Sequence, residues 1–241
     1  MSLTAPASAP RAAVCVIANE VLTGKTLDTN SHFIAKLMFR RGVDLKRVVV
    51  IPDEEDAIIE TVKELSAFVG PTGYVFTTGG IGPTHDDITY ESIAKAFEVG
   101  VVLHEPTMAA MTKSLAEKFP TFKMNDEVKR MAILPEGCKI LHDMLTCNEE
   151  HFVGVPIHRV IVNTLEYEGT LAGSLKAVQK QHPSVIIGSY VNLTEEKTGT
   201  RDTSFNTRLT VEGRDVKEVK NVGDKLIELF KGKIADPGTV V

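Results

Sequence analysis

Residues 74–89 read YVFTTGGIGPTHDDIT, an apolar run that leads into a loop rich in glycine and acid. The run from Tyr74 to Phe76 is typical of a buried strand. Apolar residues recur at helical spacing behind the loop and predict a helix from Thr84 to Phe97. The stretch therefore predicts a strand, a glycine loop and a helix in direct succession, which is the repeating unit of α/β proteins.

The glycines of this loop lie between the strand and the helix. Glycine permits positive φ angles and a close approach of a ligand to the backbone, so Gly79, Gly80 and Gly82 favour a site for phosphate or carboxylate on free N–H groups. A tight turn alone also explains glycines here. The adjacent Asp86 and Asp87 repel an anion, so the loop has two opposed features.

Strands and helices also alternate on both sides of this unit. Strands are predicted at Ala12–Ala18 and Val48–Ile51, and helices at Asn30–Arg41, Glu54–Val69, Glu105–Lys118 and Asn125–Met131. Continuous apolar strands that alternate with helices predict a mostly parallel, twisted sheet covered on both faces. Ligands of such sheets bind at the C-terminal ends of the strands.

The C-terminal part has a different order. Strands at 159–162, 185–191 and 204–211 and helices at 170–181 and 215–231 predict a smaller α+β module. We therefore expect an α/β domain over residues 12–150 and an α+β module over residues 151–233.

Composition excludes several classes of protein. The 241 residues carry a formal charge of −5 with no dense basic block, which argues against nucleic acid as a partner. Cys15, Cys138 and Cys147 are widely spaced and indicate neither a disulfide framework nor a zinc site. No apolar run reaches the ~20 residues of a membrane span, and residues 1–11 resemble a loose tail rather than a secretory signal. We expect a cytoplasmic protein without membrane association.

Acids follow two of the predicted strands. Asp87 suits a capping box with Thr84, and Asp53 suits an N-cap of the helix at 54–69, so either acid has a structural explanation. The alternative is functional, because carboxylates beside a phosphate site require a divalent cation between them and the substrate. The acids and the N–H groups of the loop together favour magnesium-type chemistry on a phosphoanhydride.

The loop after the first strand also carries polar residues. Asn19, Glu20, Gly24, Asp28 and Asn30 lie at the same edge of the sheet if the strands are parallel. Helix capping and loop solvation explain any one of them. Three strand-end loops with acids or amides favour a common site.

The loops together resemble the molybdopterin-binding (MoaB/MogA) superfamily, most closely its CinA-like branch. The matching segments are Asn19–Gly24 with Asp28–Asn30, Pro52–Glu54, Thr78–Thr84 with Asp86, Asp87, Thr89 and Glu91, and Asn125 with Arg130–Gly137. Residues 157–230 further resemble the second part of the molybdopterin-binding region of eukaryotic FAD synthases.

The resemblance implies a three-layer α/β sandwich with a phosphate-binding loop at Thr78, Gly79, Gly80, Gly82 and Thr84, and functional acids at Asp53 and Asp87. Relatives adenylylate molybdopterin with magnesium-ATP or hydrolyse pyrophosphates such as FAD or ADP-ribose with a divalent metal. We expect the hydrolase, with Mg, Mn or Co bound by Asp53 and Asp87 and a nucleotide or pterin phosphate as ligand. Asp28, Asp86, Glu91 and Asn125 are secondary candidates. A homo-oligomer is expected by resemblance alone.

Two departures from the family pattern affect these expectations. The first loop has Ala18-Asn19-Glu20 where relatives have Gly-Asp-Glu, which removes one carboxylate. Where relatives have a Leu-Pro-Gly-Val-Pro loop, this chain has only Phe152–Pro156, so either the loop is shortened or this stretch aligns with a later strand and the loop is absent. A non-catalytic module that binds a nucleotide or pterin is therefore a further alternative.

Four basic residues on predicted helices or near them could bind an anionic ligand. These are Lys95, Lys113, Lys129 and Arg130.

Overall fold

The computed structural model describes residues 9–119, 121, 123–140, 154–193 and 202–235. The chain divides into two compact units, Met1–Gly154 and Val155–Val241. The boundary expected near residue 150 lies outside the described residues. Within the described ranges, no helix has both the length and the apolar character needed to cross a membrane.

The first unit alternates strands and helices over most of its length. Its elements are β1 (Arg11–Ile17), α1 (Asn19–Leu22), α2 (Asn30–Arg41), β2 (Asp44–Ile51), α3 (Glu55–Val69), β3 (Tyr74–Thr78), α4 (Thr89–Ala96), β4 (Val101–Leu103), α5 (Glu105–Lys118), α6 (Asp126–Arg130) and β5 (Ile133–Pro135). Helix α2 ends at Gly42, which has the left-handed conformation that glycine adopts without strain.

Strand β1 is the centre of a parallel sheet of order β2-β1-β3. Its alternate residues face opposite sides, so Val14 and Val16 pack with the buried side chains of α2, while Cys15 and Ile17 pack with those of α3. A strand buried on both faces needs apolar residues at every position, which explains the continuous run. The structure confirms the predicted α/β class.

Helix α4 begins at Thr89 rather than at Thr84. Thr84 is therefore not its N-cap, because residues 84–87 form a separate turn closed by a hydrogen bond from the Asp87 N–H to the Thr84 carbonyl (3.1 Å). Glu54, not Asp53, occupies the N-cap position of α3. Both capping interpretations of the sequence were wrong, and the two aspartates have other contacts.

Smaller differences concern the ends of elements. Residue Arg11, expected in a loose tail, is the first residue of β1. A short helix, α1, forms where a loop was expected. Strand β4, which we did not expect, pairs with β5 in an antiparallel two-stranded sheet.

The second unit is an antiparallel sheet with two helices. Its elements are β6 (His158–Thr164), α7 (Glu168–Gln181), β7 (Val185–Val191), β8 (Thr207–Gly213), α8 (Val216–Phe230) and β9 (Lys233–Ile234), and the sheet order is β7-β8-β6-β9. Leu209 and Val211 of β8 pack with apolar residues of both helices in one core. This arrangement is the predicted α+β module.

Candidate functional site

The C-terminal ends of the three parallel strands lie side by side. Ile17 of β1 is in register with Ile51 of β2, and Val16 is in register with Thr78 of β3. The next residues along each strand are those predicted for the site. The sheet therefore brings the Asn19, Asp53 and glycine loops to one edge, as expected for a parallel sheet.

Asp53 connects all three strand ends. Its Oδ2 accepts a hydrogen bond of 2.8 Å from the backbone N–H of Asn19. Its Oδ1 lies 3.3 Å from the position that a Cβ would take on Gly80. No described residue donates a hydrogen bond to Oδ1, so one carboxylate oxygen of Asp53 faces the glycine loop with its lone pairs free for a ligand.

The glycine loop is held in a conformation that requires glycine. Gly79 and Gly80 have φ angles of +97° and +59°, and a Cβ on Gly79 would lie 1.9 Å from the carbonyl oxygen of Ile17. Thr89, at the start of α4, donates its hydroxyl to the Gly79 carbonyl (2.9 Å) and its N–H to the Gly80 carbonyl (3.1 Å). Both carbonyls are thus engaged, whereas the N–H groups of Gly80 and Ile81 have no acceptor among the described residues.

The carboxylate of Asp87 occupies the second half of the loop. Its Oδ2 accepts hydrogen bonds from the N–H of Thr84 (2.8 Å) and the hydroxyl of Thr84 (2.6 Å), and the N–H of Gly82 also points to this carboxylate. Partial burial alone would raise the pKa of Asp87, but these hydrogen bonds and the charge of Arg130 outweigh it and lower the pKa. The N–H groups of Gly82 and Thr84 therefore bind an anion that belongs to the chain itself.

Asp86 shares the same hydroxyl. The Thr84 Oγ1 lies 2.6 Å from both Asp86 Oδ1 and Asp87 Oδ2, and its single proton serves one of them at a time. The hydrogen bond from Thr84 lowers the pKa of Asp86, which is otherwise exposed to solvent. Asp86 is therefore linked to the same turn as Asp87 through the Thr84 hydroxyl.

Arg130 of α6 fixes the turn that carries Asp87. Its guanidinium donates to the carbonyls of Thr84 and Asp87, both at 3.3 Å, and pairs with Glu91 of α4 at 3.2 Å. Asn125 caps α6 by accepting the N–H of Val128 (3.0 Å). Asn125 thus orients the helix that carries Arg130, and Glu91 orients the guanidinium.

Helix α2 joins the site through its first residue. The amide nitrogen of Asn30 donates to the hydroxyl of Thr78 (2.8 Å), which immediately precedes the glycines. Asp28 stabilises the start of the same helix, because its carboxylate accepts the N–H of Ser31 (2.9 Å) and the hydroxyl of Ser31. Burial alone would raise the pKa of Asp28, but these hydrogen bonds lower it.

Glu20 and Gly24 lie apart from this group. The side chain of Glu20 is exposed and forms no hydrogen bond or ion pair with the described residues. Gly24 has a φ of +73° in the turn behind α1 and has open space around it. The other predicted site residues lie near the glycines. Asp28 and Asn125 do so indirectly, because they stabilise the starts of the helices that carry Asn30 and Arg130.

Sequence reasoning recognised Arg130 only as one of several cations on helices. A charged residue on a helix usually faces solvent, and no local pattern indicates that Arg130 reaches a turn 43 residues earlier in the chain. The one signal was its position between Asn125 and Leu134 in the fourth matching segment. Thr89 also lies in a matching segment, but the sequence did not indicate that its hydroxyl and its N–H bond to the carbonyls of Gly79 and Gly80.

The donor set suits a metal that is shared with a substrate. Across the described ranges, no three His, Cys, Asp or Glu side chains are grouped so that they could hold a metal ion. Mg²⁺ is typically bound by one or two carboxylates together with substrate phosphates and water. The free oxygen of Asp53 and the ionised Asp87, both beside the glycine loop, fit a cation of this kind.

A family model described as "Probable molybdopterin binding domain" matches residues 13–180, which is more than half of the chain. The chain belongs to this molybdopterin-binding domain family. A second model, "FAD synthase, middle domain", matches residues 156–237. The family match includes the whole of the site described above.

Relatives of this family member have different lengths and names. A protein of Archaeoglobus fulgidus is 28% identical over 90% of this chain and 96% of its own length. A "Putative competence-damage inducible protein" of Clostridium botulinum is 33% identical over 55% of this chain and 31% of its own. A "Probable FAD synthase" of Caenorhabditis elegans is 46% identical over 36% of this chain and 16% of its own. The chain thus spans less than a third of the two relatives whose names describe a role.

Among solved structures, the protein CinA of Thermoplasma acidophilum, whose function is unknown, matches with a TM-score of 0.47 and 29% identity. The match covers 54% of this chain and 73% of the other.

Proposed function

We propose that the protein is a divalent-metal-dependent pyrophosphohydrolase that acts on nucleotide diphosphates such as FAD or ADP-ribose. The observation that carries the proposal is the free Oδ1 of Asp53, which lies against the glycine loop at Gly80, where the N–H groups of Gly80 and Ile81 have no described acceptor. These N–H groups suit a phosphoryl oxygen. The carboxylate oxygen of Asp53 would suit a divalent cation, which would supply positive charge for the substrate phosphates.

The charge balance at the site supports a cation. Of the four cations singled out in the sequence, three are engaged with acids, because Lys95 pairs with Glu55, Lys129 with Asp126 and Arg130 with Glu91. No described contact joins the fourth, Lys113 of α5, to the site. Asp53 and Asp87 would then face a pyrophosphate without a free partner of opposite charge. A divalent ion held by Asp53 and Asp87 would neutralise the phosphate and polarise one phosphorus atom for attack.

The chain's own residues would perform the remaining tasks. Gly80 and Ile81 would bind phosphoryl oxygens, and the hydrogen bonds of Asp87 to Gly82 and Thr84 hold its carboxylate in place. A water molecule would add to one phosphorus and the bond to the bridging oxygen would break, so that FAD would yield AMP and FMN. Pre-arranged donors at developing negative charge are a major source of such catalysis.

The test is the release of AMP from FAD and from ADP-ribose with Mg²⁺, Mn²⁺ or Co²⁺. We expect turnover that chelation abolishes and that falls at least ~100-fold in Asp53→Asn, a loss typical of electrostatic catalytic groups. Glu20→Gln is the matched control, since that carboxylate contacts none of the site residues. No turnover with any metal, or equal turnover in both variants, would disprove the proposal.

Adenylylation of molybdopterin is the second candidate, and the family match over residues 13–180 favours it. It predicts consumption of ATP that depends on the pterin.

A non-catalytic module is the third candidate and is favoured by the Asp87 carboxylate that already occupies part of the loop. It predicts calorimetric binding of FAD or ADP-ribose at metal saturation without product. By resemblance, we further propose that the protein is a cytoplasmic homo-oligomer.

A further inference from the structure

Strand β4 exposes apolar side chains on both of its faces. Val101, Val102 and Leu103 are 41%, 45% and 45% exposed, and consecutive strand residues point to opposite sides. The segment leading into the strand adds Phe97 at 53% and Val99 at 41%. An edge strand that is apolar on both sides is a surface that favours pairing with another strand.

The hydrogen bonds between β4 and β5 determine which backbone groups of β4 are free. The N–H of Glu136 donates to the Gly100 carbonyl and the N–H of His104 donates to the Ala132 carbonyl, both at 2.8 Å. In the antiparallel register, the even-numbered residues of this segment therefore point their backbone groups toward β5. Val101 and Leu103 point theirs outward, where no described residue pairs with them.

Three other edge strands, β7, β2 and β9, carry protection that β4 lacks. Gln179 of α7 covers half of the β7 edge, since its amide donates to the Val185 carbonyl (2.7 Å) and accepts the Ile187 N–H (2.9 Å). Strand β2 carries Lys46 and Arg47, and β9 has two residues, one of which is Lys233. Charges, short strands and capped edges prevent unwanted pairing. Strand β4 has no charge, no proline and no cap.

We infer that β4 pairs with β4 of a second copy of this chain across a two-fold axis at Val102. In this antiparallel register, Val101 lies opposite Leu103 of the second copy and Leu103 lies opposite its Val101. Both residues direct their N–H and C=O groups outward, so the pair forms four hydrogen bonds. The two-stranded β4-β5 sheets of the two copies become one four-stranded sheet, and a two-fold axis makes the contact self-complementary and closed.

The size of the patch determines the strength of this contact. Five roughly half-exposed apolar side chains, with on the order of 150–200 Å² each, leave on the order of 400 Å² per copy. With the strand backbone, a pair buries on the order of 1,000 Å², which is at the low end of specific interfaces. We therefore expect a dimer that dissociates on dilution rather than a permanent one. This inference is independent of the proposed hydrolase activity.

The first experiment is sedimentation velocity of the full chain from roughly 1 to 500 µM, a range that brackets a micromolar dissociation constant. The average mass of the native protein should rise from 26.3 kDa toward twice that value. Leu103→Lys should stay monomeric throughout. Ile186→Lys is the matched control, because Ile186 is 71% exposed on the guarded strand β7 and its replacement should leave the dimer intact. A monomeric native protein, a trimer, or a mass unaffected by Leu103→Lys would overturn the inference.

A second experiment tests the register even if the lysine variant misfolds. Cys138 and Cys147 are first replaced by serine, since Cys138 is exposed, and Val102→Cys is then compared with Val101→Cys. Residue 102 faces its own copy in a non-hydrogen-bonded pair, whose Cα separation of ~4.5 Å suits a disulfide. Val102→Cys should cross-link to a dimer on mild oxidation, and Val101→Cys should not. Equal cross-linking of the two variants, or none, would contradict the two-fold register.

Discussion

Asp87 shows how one residue reconciles the two opposed features of the glycine loop. The loop attracts anions, and the anion bound at Gly82 and Thr84 is the carboxylate of Asp87 itself. Gly80 and Ile81 keep their N–H groups for a ligand. The loop thus has one half that is satisfied internally and one half, next to Asp53, that is open.

The first prediction concerns the titration of Asp87. Its pKa lies below the ordinary value of 3.8, so its hydrogen bonds contribute stability above that value, and this contribution is lost as the pH falls through the lowered pKa. Thr84→Val removes the hydroxyl and should raise the pKa of Asp87. Titration of the Asp87 carboxyl carbon by NMR measures this shift. Thr112→Val on α5 is the control and should leave it unchanged, since the Thr112 hydroxyl bonds only to the Met108 carbonyl.

The second prediction compares two glycines with positive φ. Gly79→Ala places a Cβ 1.9 Å from the Ile17 carbonyl oxygen, whereas Gly24→Ala meets open space at a similar φ. Gly24→Ala should cost about 1 kcal/mol of unfolding free energy, from the left-handed conformation alone. Gly79→Ala should cost at least ~2 kcal/mol more, because the backbone must also move. Urea denaturation of both variants measures the difference, and equal costs would contradict the close approach.

At the scale of elements, the position of helix α4 shows the limit of local patterns. Thr84 and Asp87 have the spacing of a capping box, but they form only one of its two hydrogen bonds, from the Thr84 N–H to the Asp87 carboxylate, because the Asp87 N–H bonds to the Thr84 carbonyl rather than to its hydroxyl. The turn that they close is not continued into a helix, and α4 begins five residues later at Thr89. Thr89 is held there by its bonds to the glycine carbonyls, which are contacts of the folded loop that no local periodicity reveals.

The third prediction concerns the edge of strand β7. Gln179→Ala removes hydrogen bonds to the Val185 carbonyl and the Ile187 N–H, both part-buried. We expect a loss of about 1–2 kcal/mol in unfolding free energy and a greater tendency to associate through this edge. Gln181→Ala is the matched control on the same helix, because the side chain of Gln181 accepts only one solvent-exposed hydrogen bond, from Lys225. Urea denaturation and light scattering should separate the two variants, and equal behaviour would disprove the edge-capping role.

At the scale of the whole molecule, each unit has its own hydrophobic core. The first unit packs the two sides of β1 against α2 and α3, and the second packs β8 and its neighbours against α7 and α8. The family match ends at residue 180, whereas the contacts divide the chain between Gly154 and Val155. The match to the FAD synthase middle domain begins at residue 156 and agrees with the contact division.

The fourth prediction follows from the separate cores. Leu65 and Leu209 are 1% and 0% exposed in the first and second core, and either Leu→Ala change should cost about 2–5 kcal/mol locally. Leu209→Ala should reduce amide-exchange protection mainly in residues 155–235, and Leu65→Ala mainly in residues 9–140. Amide exchange measured by mass spectrometry reports on each unit separately and does not depend on tryptophan, which the chain lacks. Equal loss of protection in both units for either variant would contradict separate cores.

The sequence by itself determined the alternation of strands and helices, the burial of β1 on both faces and the location of the polar loops at the strand ends. These features depend on periodicity and residue chemistry within short segments, so they can be predicted from the sequence. The sequence did not predict strand β4, because a strand of three residues gives too short a pattern.

Only the tertiary structure decided which polar groups meet. The bond from Asn19 to Asp53 spans 34 residues, that from Asn30 to Thr78 spans 48, and that from Arg130 to Thr84 spans 46. Such pairs depend on the register of parallel strands and on the packing of helices, which local propensity does not encode. The free oxygen of Asp53 and the engaged carboxylate of Asp87 are therefore properties of the fold.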